Sequence, residues 1–159
     1  MSGTITTLHA ADRDGWAALW RDYLAFYRTA LPEAIYTSTW SRILDPQGDL
    51  HAFGARDERG ELVGITHYFF HPHAWSTHET CYLQDLFVDE GARGRGHARA
   101  LIDAVATIAR KRACDKLYWQ THATNATARR LYDAVAAHEG FIVYEYPLGP
   151  PDPGATTRG

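Results

Sequence analysis

A strand-forming run, Tyr82-Leu83-Gln84-Asp85-Leu86-Phe87-Val88, is followed by Asp89-Glu90-Gly91-Ala92-Arg93-Gly94-Arg95-Gly96-His97-Ala98 and then by a stretch with one apolar face at helical spacing. That order of parts suits the capture of an anion. The first amides of a helix have no intrahelical acceptor, and the helix dipole is positive at that end. Gly94 and Gly96 let the backbone come close to a ligand, while Arg93 and Arg95 add positive charge. The loop is therefore a good seat for a phosphate or pyrophosphate. A Walker loop would end in Gly-Lys-Ser/Thr, whereas His97-Ala98 follows Gly96. A dinucleotide fingerprint would require a small residue where Arg99 stands. Taken alone, the loop is also compatible with an ordinary glycine turn before an amphipathic helix.

Other side chains carry chemistry too. Gln84 and Asp85 are neighbours on one strand, so they alternate faces and can address the same ligand only across a bulge. Asn125, Ala128 or Arg129, and Tyr132 fall one turn apart on a single helix face, although capping alone would explain Asn125. His71 and His73 invite a metal reading, but no cysteine or carboxylate stands at ligand spacing, so a solvated loop and no metal are expected. Cys81 and Cys114 form no paired framework, which fits a reduced, cytoplasmic protein.

The elements that must position these groups follow from periodicity. Residues 4–8 alternate and suggest a strand. Trp16, Leu19, Trp20, Tyr23, Leu24 and Tyr27 mark an amphipathic helix that Asp12 or Asp14 can cap. Pro32-Glu33 opens a second helix that reaches residue 44 and stops at Asp45-Pro46-Gln47-Gly48. Residues 50–55 and 62–70 read as a hairpin, and 79–88 as the next strand. Ala98, Leu101, Ile102, Val105 and Ile108 give the central helix its apolar face. A short strand over 116–121, a helix over 125–138 and a last strand over 140–146 complete the order β-α-α-β-β-β-α-β-α-β. The chain of 159 residues is read as one α/β domain over 1–147, with a disordered, proline-rich tail over 148–159. A net charge of −3 argues against a dedicated nucleic-acid binder. No apolar run is long enough for a membrane span.

This order of elements, together with Arg93-x-x-Gly96-x-Ala98 and with Asn125-x-x-Ala128-x-x-x-Tyr132 before Gly140-Phe141, resembles the GNAT N-acetyltransferases. In that family Arg/Gln-x-x-Gly-x-Gly/Ala holds the pyrophosphate of acetyl-CoA. The run Tyr-Leu-Gln-Asp-Leu-Phe-Val is similar to the central strand of polyamine and thialysine acetyltransferases. Phe26-Tyr27, Leu31-Pro32-Glu33, Thr39-Trp40 and Thr121-His122 are similar to bacterial relatives of the yeast histone/polyamine acetyltransferase, whose sister enzyme acetylates D-amino acids. The seven residues between Tyr132 and Gly140 resemble the longer helix of that branch.

The resemblance implies a mixed, mostly antiparallel sheet, splayed between its fourth and fifth strands and flanked by helices. It implies an acetyl-CoA-dependent N-acetyltransferase acting on a small primary amine: a polyamine, an amino acid or a lysine analogue. A protein lysine or N-terminus as acceptor, or a non-catalytic acetyl-CoA sensor, are the alternatives. By the same resemblance, acetyl-CoA is held by Arg93, Gly94, Arg95, Gly96, His97, Ala98 and Arg99, by the main chain of Leu86, Phe87 and Val88, and by Asn125, Ala128 and Tyr132. Tyr132 would be the general acid. The relatives' glutamate is replaced by Gln84, which cannot take a proton, so the base is placed at Asp85, with Glu79 or a water chain to bulk solvent as the other routes. Tyr36, Trp40, Gln84 and Asp85 would meet the acceptor. A homodimer is implied, with an exposed last strand in need of cover.

Overall fold

The computed structural model describes residues 3–154. Part of the tail expected over 148–159 therefore lies outside the described residues. The chain divides into two compact units, the first ending at Asn125 and the second beginning at Ala126.

In the first unit the strands are β1 (Thr4–Thr6), β2 (His51–Arg56), β3 (Leu62–His71), β4 (Thr80–Val88) and β5 (Lys116–Tyr118), and the helices are α1 (Arg13–Phe26), α2 (Glu33–Leu44) and α3 (His97–Lys111). The strands form one sheet in the order β1-β2-β3-β4-β5. All pairs are antiparallel except β4–β5, which is parallel. A parallel pair needs a crossover, and α3 supplies it. The β4–β5 ladder runs only from Thr80/Lys116 to Tyr82/Tyr118. Beyond Tyr82 that edge of β4 is no longer laddered to β5, which is the expected splay.

Register assigns the two faces of the sheet. Gly64 pairs with Val88, and Val88 packs with Leu101 and Ala92, so this face meets α3. Ile65 pairs with Phe87, and Ile65 packs with Trp16, Trp20, Tyr36 and Trp40, so the opposite face meets α1 and α2. The aromatic stripe of α1 thus became core, as amphipathic spacing requires. Asp12 precedes α1 but makes no side-chain cap. Its carboxylate instead accepts both oxygens' worth of bonding from Arg56 Nη2, at 2.8 Å each, and takes the His9 backbone N–H as well.

The second unit contains α4 (Ala126–Val135). The strand expected over 140–146 is not formed: residues 139–149 have no regular secondary structure. Phe141-Ile142-Val143-Tyr144 is apolar on consecutive residues, a pattern that calls for cover on both faces and a ladder partner. Here these side chains are exposed, Phe141 and Tyr144 by 83% and 86%.

Candidate active site

The site begins with an irregularity in β4. Tyr68 pairs with Leu83 and His67 with Asp85, so Gln84 is an extra residue without a partner in β3. Alternation puts Gln84 on the face opposite Leu83. The bulge then returns Asp85 to that same face, and the condition for both side chains to address one ligand is met. They line a cavity of about 440 Å³ on the α1/α2 side, with His67, Phe69 and Phe70 of β3, Trp20 of α1, and Leu31, Ile35, Thr39 and Arg42 at and on α2. Asp49 and Leu50, ahead of β2, complete the wall.

Asp85 is buried, and its position is fixed twice. The Thr66 hydroxyl donates to its backbone carbonyl at 2.8 Å, and His67 Nδ1 lies 2.8 Å from its Oδ2. The phenol of Tyr27, just past α1, feels this carboxylate. Burial pushes the Tyr27 hydroxyl above its ordinary value, and the negative charge of Asp85 adds to the effect. That phenol remains a protonated donor beside the site. Its ring also lies 5.6 Å from that of His122.

Tyr36 and Trp40 do not line the cavity; they pack in the core, with Tyr36 5.0 Å from Trp20 and Trp40 4.9 Å from Trp16 between ring centroids. On α2 the lining residues are Ile35, Thr39 and Arg42. The stripe that a helix buries and the edge that it shows to a cavity differ by one residue in sequence, which is about 100° on the helix.

At the anion loop, Gly94 and Gly96 have φ of +75° and +84°, and a Cβ built on either meets no atom within 4 Å. Such left-handed backbone favours glycine. The first α3 hydrogen bond runs from Ala100 N–H to Gly96 C=O. The amides of His97, Ala98 and Arg99 therefore have no acceptor within the helix, and no side chain caps Gly96. Donors without helical partners beside open glycines fit the pyrophosphate of a CoA-type ligand. Next to the loop lies a concavity of about 300 Å³ bordered by Phe87, Arg93, Asp89, Glu90, Asp22 and Phe26. Arg93 also donates from Nε to the Val88 carbonyl at 3.1 Å. Leu86, Phe87 and Val88 occupy the part of β4 past its ladder with β5.

The Asn125 side-chain amide donates to Thr121 Oγ1 at 3.3 Å. Ala128 and Tyr132 lie on α4, one turn apart, in the second unit. His71 meets Tyr118 and the Pro72 carbonyl, whereas His73 and His78 share Asp115. Among the described residues no group of three or more histidine, cysteine, aspartate or glutamate side chains is placed to hold a metal ion.

Polar residues of the site that the sequence did not point to include His67, Tyr27 and Arg42. His67 carried a signal: it is a polar residue inside an apolar strand, and a buried imidazole needs partners. Tyr27 and Arg42 carried none beyond their helical phase.

This sheet, opened along β4 above a glycine loop at a helix N-terminus, is the scaffold of an acyltransferase, and the chain belongs to the acetyltransferase (GNAT) family, whose model matches residues 16–136. Its relatives narrow the class to N-acetyltransferases. It is 33% identical over 142 residues to a D-amino-acid N-acetyltransferase, HPA3, of Saccharomyces cerevisiae, covering 89% of this chain and 88% of that one. The structure of a ribosomal-protein-alanine N-acetyltransferase from Brucella melitensis biovar Abortus 2308 superposes with a TM-score of 0.73 at 27% identity, over 91% of this chain and 99% of that one. The fold is also shared with the aminoglycoside N-acetyltransferase AAC(6')-Iy in complex with CoA, at a TM-score of 0.80 and 18% identity over 94% and 97% of the two chains.

Proposed function

We propose that the protein transfers the acetyl group of acetyl-CoA to the primary amine of a small molecule bound in the 440 Å³ cavity. The observation that carries this reading is the convergence of Gln84 and Asp85, through the β4 bulge, on a cavity whose walls are half apolar or aromatic and half polar. A carboxylate attracts an ammonium, and the apolar walls hold the carbon skeleton. Arg42 and Asp85 border one cavity with opposite charges, which suits a zwitterion such as an amino acid. The D-amino-acid relative points the same way. Tyr36 and Trp40 serve behind the wall by holding Trp16 and Trp20.

Acetyl-CoA supplies a thioester carbonyl, and the protein's groups do the rest. The amides of the loop from Arg93 to Arg99 bind the pyrophosphate. The open edge of β4 at Leu86, Phe87 and Val88 receives the pantetheine arm, and Asn125 and Ala128 are the further cofactor contacts that the family resemblance implies. An alkylammonium has a reference pKa near 10 and must lose a proton before it attacks. Asp85 takes that proton. The freed lone pair forms the C–N bond at the carbonyl carbon, and a backbone N–H near Leu86 donates to the developing oxyanion. The nitrogen, cationic once the C–N bond has formed, releases its second proton to water. The C–S bond breaks, the electron pair leaves on sulfur, and Tyr132 gives a proton to the thiolate, leaving a neutral amide and free thiol. Exchange with water restores Asp85 and Tyr132.

Three further readings accompany this one. The exposed apolar run from Phe141 to Leu148 supports a homodimer that covers it. The free cysteines Cys81 and Cys114 favour a reducing, cytoplasmic setting. The likeness to a ribosomal-protein-alanine N-acetyltransferase keeps a protein as a second acceptor class.

The deciding experiment is thiol release from acetyl-CoA against spermidine, putrescine, lysine, thialysine, D- and L-amino acids and a basic peptide. Turnover on amino acids, with Arg42→Gln raising KM for them but not for their amides, is expected. Turnover on the peptide alone would overturn the small-amine reading. Silence across the panel with intact acetyl-CoA binding would indicate a sensor.

A further inference from the structure

We infer that Trp16 and His67 form a positioning pair that fixes the protonation pattern and orientation of Asp85 for the acceptor ammonium; the inference rests on the acetyl-transfer reading above. The argument is one of donors and acceptors. Trp16 Nε1 lies 2.9 Å from His67 Nε2, and both residues are fully or almost fully buried, at 0% and 2% exposure. An indole nitrogen can only donate. His67 Nε2 therefore carries a lone pair, and the ring proton sits on Nδ1. From there it donates across 2.8 Å to Asp85 Oδ2. The chain of bonds has one direction, Trp16 to His67 to Asp85, and it requires Asp85 to be an acceptor at Oδ2.

Packing holds this direction in place. Trp16 stacks on Trp20 at 5.2 Å and touches Trp40 and Tyr36, so its indole cannot rotate to another acceptor. Trp20, one turn further along α1, provides the contrast: it is equally a core tryptophan, yet its Nε1 has no partner among the described residues. Burial alone does not give a tryptophan a hydrogen bond here; the placement of His67 does. Around the histidine, Asp85 comes from β4 and the two tryptophans from α1, while Arg42, Asp49 and Gln84 border the same cavity.

The arrangement has a chemical consequence. His67 already holds a proton on Nδ1, and Trp16 covers Nε2, so the ring cannot relay the proton that Asp85 receives. That proton must leave through the cavity. His67 is a positioning residue for the Asp85 base, and Trp16 positions His67.

Four variants and one spectrum test this. In His67→Asn the amide nitrogen takes the place of Nδ1 and can still donate to Asp85, whereas His67→Phe fills the space without a donor. Positioning predicts that His67→Phe lowers kcat about tenfold or more with KM for acetyl-CoA unchanged, and that His67→Asn recovers most of the loss. A role in packing alone predicts the reverse order, because phenylalanine suits a buried aromatic cluster better than a small amide does. Trp16→Phe should lower kcat with a smaller effect than His67→Phe. Asp85→Asn separates the two readings. If it matches the parent in turnover, the Asp85 base is wrong; if it is inactive while both His67 variants match the parent, only the positioning pair is wrong. Independently of any acceptor, long-range ¹⁵N–¹H NMR of the histidine-labelled protein should show His67 protonated on Nδ1 alone. A proton on Nε2 would overturn the inference.

Discussion

Replacing Gly96 by glutamate tests the anion loop with a magnitude that can be worked out beforehand. The residue sits at φ +84° with no atom within 4 Å of a built Cβ, so the folded protein has room for the side chain. The backbone penalty for an L residue in this left-handed region is about 1–2 kcal/mol, which lowers Tm by roughly 2–4 °C per kcal/mol in a chain of this size. Gly96→Ala measures that penalty by itself. The glutamate adds a negative charge beside the pyrophosphate. One pair of unit charges 4 Å apart repels by about 1 kcal/mol in bulk water and about 4 kcal/mol at a protein surface with an effective dielectric near 20. At about 1.4 kcal/mol per decade, CoA affinity falls between about fivefold and about a thousandfold. Calorimetry with CoA and with pantetheine, which lacks the pyrophosphate, separates the effects. Gly96→Glu should weaken CoA far more than pantetheine, and the deficit should shrink in high salt. Parent-like CoA binding, or equal losses for both ligands, would refute the assignment of the loop.

Three other outcomes are expected. Tyr132→Phe should reduce turnover while leaving acetyl-CoA affinity nearly intact, as measured by steady-state kinetics beside calorimetry; full activity would remove Tyr132 as the acid. Burial tends to raise the Asp12 carboxyl, but the His9 backbone N–H and the Arg56 guanidinium outweigh it and hold the group below its ordinary value. Its stabilisation is therefore complete above about pH 4 and is lost as pH falls through the lowered value. Urea unfolding should find Asp12→Asn less stable by about 1–3 kcal/mol at pH 7, with the gap closing at acid pH; a gap that persists there would refute the charge argument. Burial pushes the Cys81 thiol up to about 12, so at pH 8 only about one in ten thousand would be thiolate. It should resist thiol reagents until the protein unfolds, and rapid native labelling at Cys81 would contradict its placement.

Features carried by short-range pattern were legible in the sequence. The α1 stripe, the β2–β3 hairpin and the strand–loop–α3 unit each follow from one contiguous stretch of sequence, and each formed within a residue or two of expectation. What depends on pairing between distant segments was not legible. The bulge at Gln84 exists only in the register with His67 and Tyr68, so sequence could state the condition for it but not its occurrence. The bond from Trp16 to His67 spans 51 positions. Position at the start of α1 makes Asp12 or Asp14 a candidate cap, yet Arg56, brought near by β1–β2 pairing, takes the Asp12 carboxylate. The run from Phe141 to Tyr146 has the composition of a strand, but a strand is completed by a neighbour and not by composition.

The bulge also bears on how an enzyme of this shape can change its acceptor. Residues in a ladder answer to a cross-strand neighbour, so a substitution there disturbs pairing as well as chemistry. Gln84 has no such neighbour in β3, although its side chain borders the cavity. Selection can therefore act on position 84 for charge and hydrogen bonding alone, leaving the sheet indifferent. A glutamine here suits a singly charged amine beside Asp85; a glutamate would add a second negative charge and favour a dication. Acceptor preference can drift between lineages by one codon at this position, without a compensating change elsewhere in the fold.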